Sequence, residues 1–316
     1  MSHGSLSLAG RKPLLQRLKR DITTNWQIYI MLIPAVIAII MFAYVPMYGV
    51  QMAFKDFKPI KGIWGSEWVG FAHFQRFFKG HQFRNLLENT LYLSVFGIIA
   101  GFPAPIMLAL MINQIRAERF KKVLQTVTYM PHFISTVVMV GMIIVFFTPS
   151  TGLFGHLGRA LGVTNPPNLL ASKTAFRPLY IATNIWQHMG WDSIIYLAAL
   201  SAVDMALYEA AVIDGASRFQ CIVHIDIPCI LPTVVILLIL SAGRVMNVSF
   251  DKVFLMQNDL NLPVSETIAT YVYKIGLKKS QYSYSAAVNL FNTIVSFVLV
   301  LMVNTVSKRL GETSLW

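Results

Sequence analysis

Long apolar runs alternate with short polar segments along the chain. A helix needs about 20 predominantly apolar residues to cross the hydrocarbon core of a bilayer. Six stretches meet that need, at about 26–49, 86–112, 123–147, 179–201, 229–249 and 284–306. They predict an all-α, polytopic membrane protein with about six transmembrane helices and no internal repeat. Residues 1–25 form a basic N-terminal segment, 26–307 the transmembrane domain and 308–316 a tail. Prolines at 34, 46, 103, 105, 131 and 232 fall inside or at the ends of the runs. They predict kinks whose freed backbone groups neighbouring helices must satisfy.

Composition sharpens the picture. Of 316 residues, 55% are hydrophobic and only 13% charged, against roughly 25% charged in average soluble domains. The net charge of +12 would suggest nucleic acid in a soluble chain. In one this apolar, basic flanks against anionic lipid headgroups account for it, so lipid and no nucleic acid is expected as a partner. Arg11, Lys12, Arg17, Lys19 and Arg20 precede the first run. That run is too long for a signal peptide and further spans follow it, so the N-terminus is expected in the cytoplasm. Six crossings put both termini there. Lys and Arg divide almost evenly, 12 inside and 13 outside, with Arg244 in a span. The cluster Arg116, Arg119, Lys121 and Lys122 and the N-terminal group lie nearest the spans and weigh most.

Two outer segments are long. The first carries Trp64, Trp68, Phe71, Phe74, Phe77 and Phe78, which fit an interfacial belt, and 71–83 reads as a helix at the membrane surface. The second, between the third and fourth runs, is rich in Gly, Pro and Asn and reads as irregular. Cys221 and Cys229 have no metal-ligand spacing and are read as free thiols; no metal site is expected. No Walker A, HExxH or GxSxG pattern is present, so the chain is not expected to be an enzyme or to hydrolyse ATP.

The stretch 208–232, YEAAVIDGASRFQCIVHIDIPCILP, breaks the apolar pattern between the fourth and fifth runs. Asp204 suits a helix N-cap, and the alanines keep one face of the following helix low. Gly215 suits the left-handed residue that ends it, and Pro228 the first turn of the next helix. A short helix and a sharp turn follow, within a loop at 204–228. From these residues alone an ordinary loop helix fits as well as a docking element. The spacing is more specific. Glu209, Ala210 and Ala211, then Gly215, then Ile225 to Pro228 as Ile-x-Ile-Pro, resemble the EAA motif of permease subunits in ATP-binding-cassette (ABC) importers. Ile227 stands where Leu is more usual. The stretches VPMYGVQMAFKDFKP (45–59), IWQHMGWDSIIYLAALSAVD (185–204), FDKVFLMQND (250–259) and SETIATYVYKIGL (265–277) are similar to permeases for complex oligosaccharides, such as alginate or pectin fragments.

The resemblance implies a type I ABC importer permease fold in the bacterial cytoplasmic (inner) membrane. It implies that Glu209, Ala210, Ala211, Asp214, Gly215, Ile225 and Pro228 couple to an ATPase. The implied partners are a second, related but non-identical permease subunit, two cytoplasmic ATPase subunits, an extracytoplasmic solute-binding protein and an oligosaccharide. ATP and Mg belong to the ATPase subunits, and no cofactor is expected on this chain.

Polar groups inside spans are costly and usually face a cavity or a partner. His188, Trp191 and Asp192 fall three or four residues apart, with Trp186 in the same stretch; Arg244 and Asn247 are three apart in the fifth run. Two roles fit. These residues line a pathway in which aromatic rings stack on sugars and polar groups bind hydroxyls or carboxylates. Alternatively they hold spans together, for instance through an Asp192–Arg244 pair. His132 reads as a satisfied structural histidine. Competing functions are an ABC permease for a non-sugar solute, an autonomous secondary transporter, which commonly shows inverted repeats, and a membrane-embedded enzyme.

Overall fold

The computed structural model describes residues 23–309 apart from 244 and 247. The expectations for residues 1–22 and 310–316, and for Arg244 and Asn247, therefore lie outside the described residues. The described residues are all-α apart from a two-residue antiparallel ribbon that pairs Lys55–Asp56 with Glu67–Trp68.

Helix α1 (Trp26–Phe54) has no buried residue in its apolar window and presents that surface outward. Its regular turns widen to a π turn at Ile40–Tyr44, just before Pro46. Proline lacks an N–H and its ring crowds the carbonyl four residues back, and a wider turn relieves both. Helix α2 (Ala72–Lys79) buries Phe77 against Phe83, Tyr284 and Phe291. The surface helix expected over 71–83 is shorter than that, because the chain turns extended at Gly80 before α3 (Gln82–Asn113) begins. Pro103 opens a fresh helical turn in α3 without breaking it, since the Phe102 N–H still donates to the Ile98 carbonyl at 2.8 Å.

The third apolar run, expected as one crossing over 123–147, is broken. Helix α4 (Glu118–Phe133) meets α5 (Thr136–Phe147) at 97°. Pro131 tightens the end of α4 into a 3-10 turn, Ile134 is extended, and Ser135 restarts the helix by accepting the Val138 N–H. Hydropathy marks such a run as apolar but carries no information about this angle. The next segment, expected to be irregular, contains helix α6 (Leu153–Ala160). Gly155 lets α6 press on the Pro149 carbonyl, where a Cβ would stand only 2.1 Å away. The Arg159 guanidinium donates to the Pro149 and Ser150 carbonyls at 2.8 Å.

Helices α7 (Phe176–Ser201) and α8 (Met205–Ile213) meet at a 72° corner. Then come α9 (Arg218–Ala242), α10 (Phe250–Met256), α11 (Ile268–Tyr273) and α12 (Tyr282–Arg309). Helices α1, α3, α9 and α12 are long and apolar enough to cross a membrane unbroken; α4–α5 and α7–α8 pass the same test of length and composition only as bent pairs. Three apolar clusters hold the bundle. One joins α3, α5, α7 and α10 through Leu93, Met139, Phe176 and Val253; a second joins α2, α3, α11 and α12 through Phe77, Leu86, Ile268 and Val288. The third joins α3, α7 and α9 through Ile112, Leu200 and Ile230. Helices α3 and α7 are thus the centre against which the others pack. Near the break in the third run, α7 approaches α4 so closely at Gly190 that a Cβ would lie 1.9 Å from the Thr128 carbonyl oxygen.

Candidate functional site

Helix α7 carries polar side chains at four-residue spacing, and that spacing puts them on one face. Asn184, His188 and Asp192 line a cavity of about 410 Å³ whose other walls are Gly97, Gly101 and Pro105 of α3 and Leu237, Leu240 and Ser241 of α9. A second cavity of about 230 Å³ shares Gly97, Ile98, Asn184 and Ser241 with the first. It extends toward Ser94, Tyr180 and Ser249. The two adjoin across these shared walls in a partly polar cleft between α3, α7 and α9. The glycines of α3 leave it open: nothing lies within 4 Å of a Cβ placed at Gly97.

The His188 Nδ1 lies 3.0 Å from the Asn184 carbonyl. A carbonyl only accepts, so in this contact Nδ1 donates. Trp191 belongs to a neighbouring arrangement. Its indole is stacked on the His132 ring, with centroids 4.5 Å apart and planes at 4°, and meets Phe133 edge-on. His132 in turn stands edge-on to His188 at 5.7 Å. The break after Pro131 is what delivers His132 and Phe133 to α7. His132 Nδ1 is buried with no hydrogen-bond partner among the described residues, so the reading of His132 as an isolated, satisfied histidine is corrected. It belongs to an aromatic wall with His188 and Trp191.

Trp186 does not join this group. Two residues back from His188 is about 200° around a helix, and Trp186 is half exposed on the far side of α7. Arg244 and Asn247 lie outside the described residues. Gln187, which sequence reading passed over, donates to the Ile134 carbonyl at 3.1 Å and accepts from Lys252 Nζ at 3.4 Å. It ties α7 to both the α4–α5 break and α10.

At the opposite end of α7, α8 stands free of the bundle. Asp204 caps it by accepting the Ala206 N–H at 2.9 Å. Its end is a Schellman turn: the Ala216 N–H donates to the Ala211 carbonyl, the Gly215 N–H to that of Val212, and Gly215 has φ +76°. Ser217 and Gln220 then form a reciprocal capping box that starts α9. Glu209, Ala210, Asp214 and Gly215 are exposed and Ala211 is half buried. The same helix exposes Met205, Leu207, Val212 and Ile213, an apolar surface that the other described residues leave uncovered.

Ile225 and Pro228 are placed differently from expectation. The loop read at 204–228 ends at Ser217, and both residues lie inside α9, whose turns widen to a π turn at Ile222–Asp226 ahead of Pro228. Asp226, unnoticed in the sequence, is fully buried in that turn and accepts from the Tyr208 hydroxyl and from Gln114 Nε2. Burial and this carboxylate push the Tyr208 phenol well above its ordinary range. A lone Asp in the Ile-Asp-Ile-Pro sequence was the available signal, but its partners are 18 and 112 residues away. Cys221 is buried and Cys229 exposed, both free. Among the described residues, no group of three or more His, Cys, Asp or Glu side chains is placed to hold a metal ion.

Residues 95–312 match the family described as binding-protein-dependent transport system inner membrane component. The chain is 42% identical over 299 residues to the protein LplB of Bacillus subtilis (strain 168), covering 95% of this chain and 92% of that one. It is 43% identical over 306 residues to the polygalacturonan/rhamnogalacturonan transport system permease protein YteP of Bacillus subtilis (strain 168), covering 97% and 95%. A crystal structure of a bacterial alginate ABC transporter, in complex with alginate pentasaccharide-bound periplasmic protein, superposes with TM-score 0.87 at 39% identity, covering 95% of this chain and all of that one. Another, of a bacterial ABC transporter involved in the import of the acidic polysaccharide alginate, gives 0.85 at 41% identity, covering 93% and 99%. The expected all-α permease fold is therefore borne out, and the chain belongs to the binding-protein-dependent family of ABC transporter permeases, as a multi-pass component of the inner membrane.

Proposed function

We propose that this chain forms half of the translocation pathway of an oligosaccharide importer, acidic oligosaccharides included. The observation that carries the reading is the cleft between α3, α7 and α9, lined by Asn184, His188 and Asp192 and flanked by the Trp191–His132 stack. A sugar offers hydroxyls to such polar groups and an apolar ring face to an aromatic plane. The relatives named for polygalacturonan, rhamnogalacturonan and alginate support the substrate class. A second, related permease subunit completes the pathway, and a binding protein outside delivers the sugar.

Two ATPase subunits, which hold ATP and Mg, bind from the cytoplasm and hydrolyse the nucleotide. The uncovered apolar face of α8, with Glu209 and Asp214 beside it, is the surface one of them covers, because exposed apolar patches of this kind mark interaction sites. That docking puts both chain termini in the cytoplasm. Closure of the ATPases displaces α8, and α8 moves the spans it joins, α7 and α9. Gly215 supplies the tight joint.

Uptake into proteoliposomes holding the whole complex tests this, with a panel of neutral and acidic oligosaccharides and their binding protein. Wild type accumulates members of the panel on ATP, and Trp191→Ala and Asp192→Asn reduce uptake without changing assembly. Uptake that needs an ion gradient and no ATPase would overturn the reading in favour of a carrier.

A further inference from the structure

A buried carboxylate sits where α3, α8 and α9 meet, and the pathway described above makes no use of it. Asp226 is 0% exposed. One of its oxygens accepts from the Tyr208 hydroxyl of α8, and the other from Gln114 Nε2, 3.1 Å away, just past the end of α3. The apolar cluster that contains Ile112 and Ile230 lies within about a turn of the joint on α3 and α9. Removing a carboxylate from water is costly unless every oxygen finds a donor. Here both do, and the donors come from two other elements. The π turn at Ile222–Asp226, forced by Pro228, shifts the phase of α9 at this level and turns Asp226 inward.

The connections of α8 through the backbone are two corners. One is the 72° bend after α7, and the other is the left-handed turn at Gly215. Either corner can act as a hinge, so α8 tied only by its backbone would swing without moving the spans. Along α8 itself only Tyr208 and Ala211 are turned partly inward, and the Tyr208 hydroxyl bonds the side chains of Asp226 in α9 and Asn113 in α3.

Resting on the reading that α8 receives the stroke of an ATPase, the structure assigns Asp226 as the pin that passes that stroke to α3 and α9 together. It is a positioning residue: it touches neither sugar nor nucleotide. Helix α3 is not adjacent to α8 in sequence; the Gln114–Asp226–Tyr208 chain of hydrogen bonds links the two through α9, beside a direct contact of the Tyr208 hydroxyl with Asn113. Because α3 and α9 are two of the three walls of the cleft, a rigid pin moves both walls in one step.

The test is the ratio of sugar imported to ATP hydrolysed, measured in proteoliposomes with the complete complex and sugar-loaded binding protein. Asp226→Asn keeps the volume but removes the charge, which weakens both charge-assisted bonds and leaves the joint looser. The expected result is an assembled complex whose stimulated hydrolysis stays within about twofold of wild type while sugar imported per ATP falls about tenfold, within the range of ordinary coupling energies. Tyr208→Phe and Gln114→Ala, each removing one donor, should lower the ratio by a smaller, similar factor of about threefold. A wild-type ratio in Asp226→Asn overturns the assignment. If Asp226→Asn does not assemble, the two donor variants decide, and wild-type ratios in both of them overturn it. Hydrolysis by the wild-type complex that no loaded binding protein stimulates would instead defeat the transport reading, and the pin with it.

Discussion

Replacing Gly190 with alanine should destabilise the protein, although the same change normally stabilises a helix. In an unencumbered helix interior, Gly→Ala gains about 1 kcal/mol. At Gly190 the added Cβ would stand 1.9 Å from the Thr128 carbonyl oxygen, 2.4 Å from its carbon and 3.1 Å from the Tyr129 nitrogen. Those atoms are backbone of α4, so no side chain can rotate away. Reaching an ordinary separation of about 3.5 Å requires the two helices to part by about 1.5 Å. Overpacking of that kind costs about 1–3 kcal/mol and sometimes more, and a rigid backbone obstacle places it at the upper end. The net loss is about 2 kcal/mol, or a fall of about 3 °C in Tm by the per-residue unfolding entropy of about 2.1 cal/mol/K. Heating the purified protein in detergent and following the monodisperse fraction by size exclusion would measure it. Gly141→Ala in α5 is the control, since nothing lies within 4 Å of a Cβ there; it should melt at or above wild type. If Gly190→Ala melts as high as Gly141→Ala, the close approach of α4 and α7 is wrong. The same separation would draw His132 away from Trp191, so the loss should extend to uptake.

Other expectations follow from single contacts. Gly215→Ala places a Cβ at φ +76°, a strain of about 1 kcal/mol, and should weaken ATPase docking measured by co-purification while leaving the spans intact. His132→Ala should lower sugar-stimulated hydrolysis about as much as Trp191→Ala, because each ring holds the other; a normal response in His132→Ala would show that the stack is not used. Lys252 is buried in α10 without an ion-pair partner among the described residues, and burial pushes its ammonium down from 10.5 to about 8. The unfolded chain then binds the extra proton between those values, so the folded form gains stability as pH rises from 8 toward 10.5. Wild type should therefore gain stability relative to Lys252→Met as pH rises from about 8 toward 10.5; a constant difference would refute the assignment.

The sequence made the apolar runs and the ends of α8 legible because both are local. Asp204 and Gly215 act within five residues of themselves, and a run of apolar residues needs no partner to declare its solvent. What escaped was set by distant pairing or by backbone direction. The 97° break between α4 and α5 arises from an extended Ile134 and a new cap at Ser135, which hydropathy does not register. That break alone brings His132 to Trp191. Ile225 and Pro228 look like the end of a loop, but a π turn absorbs the proline and lets α9 begin ten residues earlier, at Arg218. Asp226 is one acidic residue among isoleucines until Gln114 and Tyr208 are seen around it. Trp186 lies near His188 in sequence, but the helical phase separates them.

The central claim is that α8 links an ATPase to the sugar pathway of this permease. Its most direct test is hydrolysis by the reconstituted complex in response to sugar-loaded binding protein, with wild type and with Glu209→Lys. Glu209 is exposed, so its replacement leaves the fold untouched and acts only at the docking surface. The account predicts stimulation in wild type by at least one oligosaccharide of the panel, and loss of stimulation or of ATPase docking in Glu209→Lys. Full stimulation in Glu209→Lys, or transport by the chain with no ATPase present, would contradict it.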